Sequence, residues 1–580
     1  MRIRFKNFTQ LLLDLTINAL FILFSLFILK FILKVGPTGL FLERSFKLVG
    51  LVFLILFILF IFFFIYNKDF SFKKKFDFPQ FKDIFLIALP ISPIISYAIL
   101  NNNYLDFQGS LYLFGFPLMF IFIFSFILPS IFSYFSSLNI LLISGLALCY
   151  TILSLPIITS NPNSHFFNSQ LVTQGIYLIF SFIIMYLLYF FNKNLAYIFA
   201  IVFMLAGMTS KLSYKYINKD IIKSASEENL KMFLKNDENK IIDKKNVYII
   251  VYESYPNFET INHYGYDNSK QFNHLEKNDF TIYQGSYSNG ASSLSSIARL
   301  FEIKGNLTNH ERYYTSGNSF GLNIFKANGY TIESLFNTPY FFGNYPITWD
   351  KYHPKVNVNK IGGKILIESV YKGEFRPNAF DKDYIYDEYL KLKNKNLSSN
   401  KLSPTLFYTH NSYPGHSNNS GRCSPNEKKK FFKNLEKANI EMKNDIKTVR
   451  QSDPKAIIVL LGDHGPYLTK NCTVLRKFKI NLIDKYDVQD RYGALLAIRW
   501  PDDLNIADNE LQITQDIFPA ILSNITKNKK LFNQLKVDRK FYDRFDTNIG
   551  GVNISNGIVV GGIDDGKPLF NIRTYSIKDK

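Results

Sequence analysis

Two acidic signals and one hydroxyl-rich loop stand where chemistry can be done in the second half of this 580-residue chain. The apolar run "VYIIVYE" ends directly in Glu253, and "AIIVLLGDHG" ends in Asp463 and His464. A carboxylate is seldom buried unless an opposite charge or hydrogen bonds offset its lost hydration. Carboxylate oxygens together with an imidazole are donor types that hold a divalent cation. Each signal also has a plain reading, Glu253 as a helix cap and Asp463-His464 as a polar turn. Their coincidence at the ends of two apolar runs favours a metal site built from Glu253, Asp463 and His464.

The loop is "GSYSNGASSLSSIARLF", residues 285 to 301. A Gly-Ala-Ser-Ser turn leading into a helix sets a hydroxyl beside the unpaired amides of the helix start, an arrangement suited to phosphate. Serine becomes a competent nucleophile when a base takes its proton or a metal lowers its pKa. Ser292 is the candidate, with Ser293 and Ser288 as alternatives, and a simple N-cap is the structural reading of the same residues.

Something must bring these groups together. "VYIIVYE", "AIIVLLGDHG" and "LLAIRWP" read as buried strands, while "SLSSIARLFEI" and "LQITQDIFPAILSNI" read as helices. Strands alternating with helices predict an α/β domain with a mostly parallel central sheet. Sites in such sheets lie beyond the carboxyl ends of the strands, where both acidic signals fall.

The first part of the chain is different in kind. Apolar runs near 11–34, 47–66, 83–100, 111–136, 140–159, 174–191 and 195–211 predict five to seven membrane-spanning helices. "MRIRFK" and "NKDFSFKKKFDFPQFK" are basic, whereas "NNNYLDFQGS" and "TSNPNSHFFNSQLV" carry no Lys or Arg. This alternation predicts a cytoplasmic N-terminus and, with an odd number of spans, an extracytoplasmic second half. Residues 211–246 mix charge with apolar residues at helical spacing and predict a juxtamembrane helix and linker. The expected division is therefore 1–211, 212–246, a catalytic domain over 247–545 and a C-terminal tail over 546–580.

The net charge of +20 comes from lysines scattered among Asn, Asp and Glu, with no basic stripe carrying interleaved aromatics. That excludes a nucleic-acid reading and suits an anionic lipid surface. Of three cysteines, Cys149 lies in an apolar run, and Cys423 and Cys472 can pair outside the cytoplasm or stay as thiols.

Taken together, "YESY", the Ser-rich helix start and "LLGDHG" resemble the sulfatase-like branch of the alkaline phosphatase superfamily. Within it, they resemble the membrane-anchored phosphoglycerol and phosphoethanolamine transferases, including lipoteichoic acid synthases. "ITQDIFPAILSNI" is similar to a late helix of that family, and "TWDKYHP", with Trp349, to a substrate segment of the synthases. The resemblance spans roughly residues 246–525. It implies metal ligation by Glu253, Ser292, Asp463 and His464, with Ser292 in the place of the family's nucleophilic threonine. It implies substrate contacts by Trp349 and by His416, with His410 competing for that place. It also implies one divalent cation (manganese or zinc, with magnesium as an alternative), a phospholipid donor, and an envelope glycan or lipopolysaccharide acceptor at the bacterial inner membrane. The departures are Asn337, where the synthases often carry histidine, and the lack of any histidine after His464.

The rival functions are sulfate-ester or phosphodiester hydrolysis, and an inactive relative with a structural role in envelope polysaccharide assembly. His165, His263, His274, His310 and His353 read as surface or packing residues, and Arg299 and Arg422 as solvated arginines or phosphate contacts.

Overall fold

The computed structural model describes residues 16–25, 76–100, 107–159, 170–307, 311–342, 346–354, 386–417, 426–473, 478–501, 511–537, 539 and 551–571. The chain divides into two compact units, the first containing residues 1–220 and the second containing 221–356 and 382–580.

The first unit is helical, with Ala88–Leu100, Phe107–Phe122, Leu138–Thr159 and Gln170–Phe191 among its helices. Among the described residues, Leu113–Phe132 and Lys193–Ser213 are long and apolar enough to cross a membrane by length and composition. They match two of the seven expected spans. The expected span at 47–66 lies outside the described residues, and that at 11–34 is described only over 16–25. The last apolar segment and the expected juxtamembrane helix form one helix, Lys193–Leu234. No glycine or proline interrupts the sequence between Met208 and Leu234, so nothing local ends the helix there.

The second unit is built on a seven-stranded sheet of order β2-β7-β6-β1-β5-β3-β4. The strands are β1 (Val247–Tyr252), β2 (Thr281–Ile282), β3 (Thr331–Phe336), β4 (Lys351–His353), β5 (Thr405–Asn411), β6 (Ile457–Gly462) and β7 (Leu496–Arg499). β1 pairs in parallel with β5 and with β6, and β3 pairs in parallel with β5 and β4. β7 runs antiparallel to β6 and to β2, so the sheet is mixed but mostly parallel.

β1 shows why its sequence is apolar throughout. Val247, Ile249 and Val251 face one buried cluster, and Tyr248, Ile250 and Tyr252 face another. Both faces are covered, so alternation with polar residues is absent. Burying one such aliphatic side chain is worth about 1.5–3 kcal/mol, which makes this strand a rigid floor for the residues after it.

Two expectations need correction. The helix expected over "LQITQDIFPAILSNI" begins only at Ile517, after a short 3-10 turn at Thr514–Asp516, because Ile513 pairs as an isolated bridge with Tyr287. The expected tail is no tail over residues 551–571. There, β8 (Asn553–Ser555) and β9 (Ile558–Val560) form a hairpin. Val552, Ile554, Val559, Leu569 and Phe570 are buried with Tyr287, Val488 and Ile513. These apolar side chains hold the segment to the second unit.

Candidate active site

β1, β5 and β6 are parallel neighbours, so their carboxyl ends open on one edge of the sheet. Glu253 follows β1, His410 is the penultimate residue of β5, and Asp463 and His464 follow β6. The register places Val251 opposite His410 and Tyr252 opposite Gly462.

Local chain geometry fixes the Asp-His pair. A Cβ on Gly462 would lie 1.9 Å from the Tyr255 carbonyl oxygen, and one on Gly465 would lie 2.1 Å from the Asp490 carbonyl oxygen. Only glycine permits both approaches. Ser254, with φ of 58°, turns the chain sharply after Glu253 and donates its N–H to Asp463 Oδ1 at 2.7 Å. The His464 N–H donates to the same oxygen at 3.1 Å. A left-handed conformation is uncommon for a non-glycine residue and recurs at functional turns.

The other Asp463 oxygen is different. Oδ2 is buried with no hydrogen-bond partner, as is His410 Nε2. These two atoms lie 3.6 Å apart, and His464 Nε2 is also 3.6 Å from Oδ2. His464 Nδ1 lies 2.8 Å from the Gly465 carbonyl, which can only accept, so Nδ1 carries the proton. The lone pair on Nε2 therefore faces Ser293 Oγ at 3.2 Å, and the Ser293 hydroxyl donates to it. His410 Nδ1 meets the Tyr408 hydroxyl at 2.8 Å.

The protonation states follow from burial. Burial pushes His464 and His410 each down to about 4, although the Asp463 carboxylate opposes the shift. His464 is lowered further by the positive charge of Arg491 and by His416. Burial likewise lowers His416, whose Nε2 stands 3.7 Å from Glu253 Oε1. Burial and then the Asp463 charge push Glu253 up to about 8. For Asp463, burial acts upward, but His464, His410 and the Ser254 N–H outweigh it and hold the carboxyl below its usual range. The edge thus carries one anionic carboxylate facing neutral imidazoles, which is the protonation a cation needs from its ligands.

Among the described residues, no three His, Cys, Asp or Glu side chains form a ready-made metal-ligand group. The fit of a cation rests instead on two orphaned buried atoms, Asp463 Oδ2 and His410 Nε2, 3.6 Å apart. Their donor types suit zinc or manganese.

The structure redistributes several expected roles. Ser292 is the exposed N-cap of the helix Ser293–Glu302, its hydroxyl accepting from the Ser295 N–H at 3.4 Å. Ser293, one of the alternatives, holds the contact with His464. Ser288 is buried, bonds Ser296 Oγ at 2.7 Å and accepts from Gly290 N–H at 3.0 Å, so it braces the turn. Trp349, expected at the substrate, is a core residue. It is 4% exposed, packs on Phe301, Phe336 and Tyr408, and donates its indole N–H to the Thr315 carbonyl at 2.9 Å. His410 reaches Asp463 rather than standing apart as a substrate residue. Arg299 is buried and donates to the Gly305 carbonyl at 2.8 Å, which braces its own helix. His263 stacks on Tyr486 at 3.8 Å and has a packing role. Cys472 is disulfide-bonded and Cys149 is free. Cys423, His165, His310 and Arg422 lie outside the described residues.

Ser254, Tyr467 and Arg491 were not singled out by sequence reasoning. Ser254 stood within "YESY", and Tyr467 follows the Asp-His motif directly in "GDHGPY".

No protein-family model matches the chain, and no curated protein matches it by sequence. Solved structures do show likeness. One is the C-terminal periplasmic domain of EcEptC from Escherichia coli, at 14% identity over 49% of this chain and 82% of that chain, with a TM-score of 0.33. Another is the integral membrane protein lipooligosaccharide phosphoethanolamine transferase A from Neisseria meningitidis, at 12% identity over 78% of this chain and 97% of that chain, with a TM-score of 0.33. A third is the lipoteichoic acid synthase LtaP from Listeria monocytogenes, at 14% identity over 55% of this chain and 81% of that chain, with a TM-score of 0.34.

Proposed function

We propose that the chain transfers a phosphorylated head group, phosphoglycerol or phosphoethanolamine, from a membrane phospholipid to an envelope glycan or lipopolysaccharide. The reading is carried by one observation: a serine hydroxyl at a helix start donates to a neutral histidine beside a buried, half-unsatisfied carboxylate. Asp463 and His410, with Glu253 next to them, would hold a divalent cation, while His464, expected among the ligands, keeps its Nε2 lone pair for the Ser293 proton. When bound, such an ion offsets charge developing on phosphoryl oxygens and favours the serine alkoxide.

The chain's own residues supply the rest. The Ser293 hydroxyl passes its proton to His464 Nε2 as Oγ forms a bond to phosphorus. The phosphorus–oxygen bond to diacylglycerol breaks, and the departing alkoxide takes the proton from His464. In the second half, the acceptor hydroxyl attacks the phosphoserine, its proton goes to His464, and the serine oxygen leaves and recovers that proton. Asp463 steadies the charged imidazole, and the amides of the first helical turn point toward the phosphoryl oxygens. Geometry thus favours Ser293 for attack and Ser292 as the helix cap, whereas the spacing that resembles the transferases favours Ser292.

The membrane-crossing helices of the first unit suit a donor that resides in a bilayer. We place the second unit outside the cytoplasm, at the inner membrane of a bacterium, in keeping with the loop charges and with the disulfide at Cys472.

Turnover of fluorescent phosphatidylglycerol and phosphatidylethanolamine by the full-length protein, followed as diacylglycerol release, tests the reading. Ser293→Ala should abolish release and Ser292→Ala should reduce it less. The reverse ranking would move the attack to Ser292. Full release by the double alanine variant would end the covalent mechanism.

A further inference from the structure

On the face of the sheet away from His410, one lysine is sealed inside the second unit. Lys393, on the helix Tyr386–Leu397, is 1% exposed, as is Asp445 on the helix Glu427–Ser452. Lys393 Nζ donates to Asp445 Oδ2 at 2.8 Å and to Asn411 Oδ1 at 2.7 Å, and Glu441 Oε2 stands 3.7 Å away. The Tyr252 hydroxyl donates to the same Asp445 oxygen at 2.6 Å. Taking two charges out of water is costly, and packed apolar residues in their place often serve stability as well or better. Stability alone therefore does not account for this pair.

The pair touches the carboxyl edge from beneath. Tyr252 is the last residue of β1 and Asn411 the last of β5, so Glu253 follows the first and His410 precedes the second. Asn411 joins the two strands twice. Its side-chain N–H donates to the Val251 carbonyl at 2.8 Å, and its own carbonyl accepts the Glu253 N–H at 3.2 Å. The side-chain amide can do this in one orientation only. An ammonium has donors and no acceptor, so it demands the amide oxygen and turns the NH2 end toward Val251. Tyr389 also donates to Asn411 Oδ1, at 3.1 Å, while its oxygen lies 2.7 Å from Thr409 Oγ1. Lys393 is the closer partner of Asn411 and the charged one. Successive side chains alternate across a strand, so His410 leaves β5 on the opposite face, toward Asp463.

Resting on the metal-assisted phosphoryl-transfer reading above, we propose that Lys393 and Asp445 are positioning residues for the active edge. By fixing the Asn411 amide and the Tyr252 hydroxyl, they hold the ends of β1 and β5 together and so set where Glu253 and His410 stand. A misplacement of about 1 Å in such groups can cost about a hundredfold in rate.

The test uses full-length protein in detergent carrying Lys393→Met together with Asp445→Asn, so that no buried charge loses its partner. Hydrogen exchange of the metal-free protein reads the edge without any reaction. The peptide containing Glu253 should exchange severalfold faster, while the amides of Tyr248 to Ile250 and the melting temperature stay near those of the unaltered protein. Diacylglycerol release should show kcat lowered by about tenfold to a hundredfold, with KM for phospholipid nearly unchanged. Unchanged exchange at Glu253 overturns the proposal whatever the kinetics, and so does faster exchange with full kcat. A uniform loss of protection with a lowered melting temperature also overturns it, because the pair would then serve the fold alone. Should the double variant fail to fold, Asn411→Leu decides, since it removes the N–H that reaches Val251 and adds no charge. The same selective exchange is expected there, and unchanged exchange overturns the proposal. If the unaltered protein releases no diacylglycerol, the reaction reading falls, and the exchange result alone decides the positioning role.

Discussion

Asp463 and Asp490 are both fully buried carboxylates of the second unit, and they are built for opposite purposes. Asp490 is saturated. It accepts from the Tyr264 hydroxyl, the N–H groups of Leu468 and Thr469, the Thr469 hydroxyl and the Asn471 amide. Asp463 receives two N–H groups on Oδ1 and none on Oδ2. An ionised carboxylate has room for about four hydrogen bonds, so Asp490 spends its capacity holding the loop after Pro466 in place. Asp463 keeps one oxygen for something outside the protein's own hydrogen-bond network. An unpaired buried polar atom costs about 1–3 kcal/mol, a cost that makes sense where a ligand takes up the open valence.

The largest effect should come from the open carboxylate. Asp463→Asn keeps the shape but removes the charge, and turnover should fall about a thousandfold or more. Elemental analysis of the purified full-length protein should show about one tightly held manganese or zinc, lost in this variant. Retained metal in both Asp463→Asn and His410→Ala would refute the assigned ligands. The saturated carboxylate should behave the other way. Asp490→Ala strands several donors and should cost about 3–5 kcal/mol of stability, seen in denaturant titration. Any surviving folded fraction should retain its metal. If Asp490→Ala instead lost metal without loss of stability, the contrast between the two groups would collapse.

Trp349 sharpens the contrast from outside the edge. Trp349→Phe should lower stability by about 1–3 kcal/mol, through the lost indole bond and packing volume, and leave the apparent KM for phospholipid unchanged. A raised KM at full stability would restore the substrate role that its sequence context suggested.

The smallest effect is a pH dependence away from the site. Burial pushes Glu302 up to about 7 in the folded protein, although it accepts the Phe320 N–H at 2.8 Å. An acid whose folded pKa lies above its unfolded value binds more protons when folded. Stability is therefore greater below the unfolded value near 4.5 and falls as pH rises to about 7. Its size should be about 1–3 kcal/mol across that window. Glu302→Gln should flatten this slope in thermal melts, and an unchanged slope would assign it to other groups.

How much of this was readable beforehand depends on the physics of each element. β1 and β6 were legible because fully buried parallel strands are continuous apolar runs, and the residue after such a run must sit at the carboxyl edge. His410 was harder to place, because β5 continues through it to Asn411 and no turn residue marks the strand end. Spacing alone does not separate Ser292 from Ser293. At a helix start, adjacent side chains point about 100° apart, and the extended backbone of Ser292 decides which hydroxyl reaches His464. Trp349 was read from a motif, whereas its burial is set by Phe301, Phe336 and Tyr408, which are distant in sequence. The hairpin in the supposed tail was readable in "NISNGIVV", since Asn-Gly between apolar residues is a strong turn signal. Asn556 and Gly557 do adopt positive φ there, at 51° and 77°.

The central claim is that this sheet edge forms a covalent phosphoserine, and trapping tests it most directly. Full-length protein would be mixed with head-group-labelled phospholipid in the absence of acceptor, quenched in acid, digested and mapped by mass spectrometry. The labelled head group should appear on the peptide bearing Ser292 and Ser293, on one serine only, and should disappear in Asp463→Asn. Diacylglycerol release with no label on either serine would contradict it.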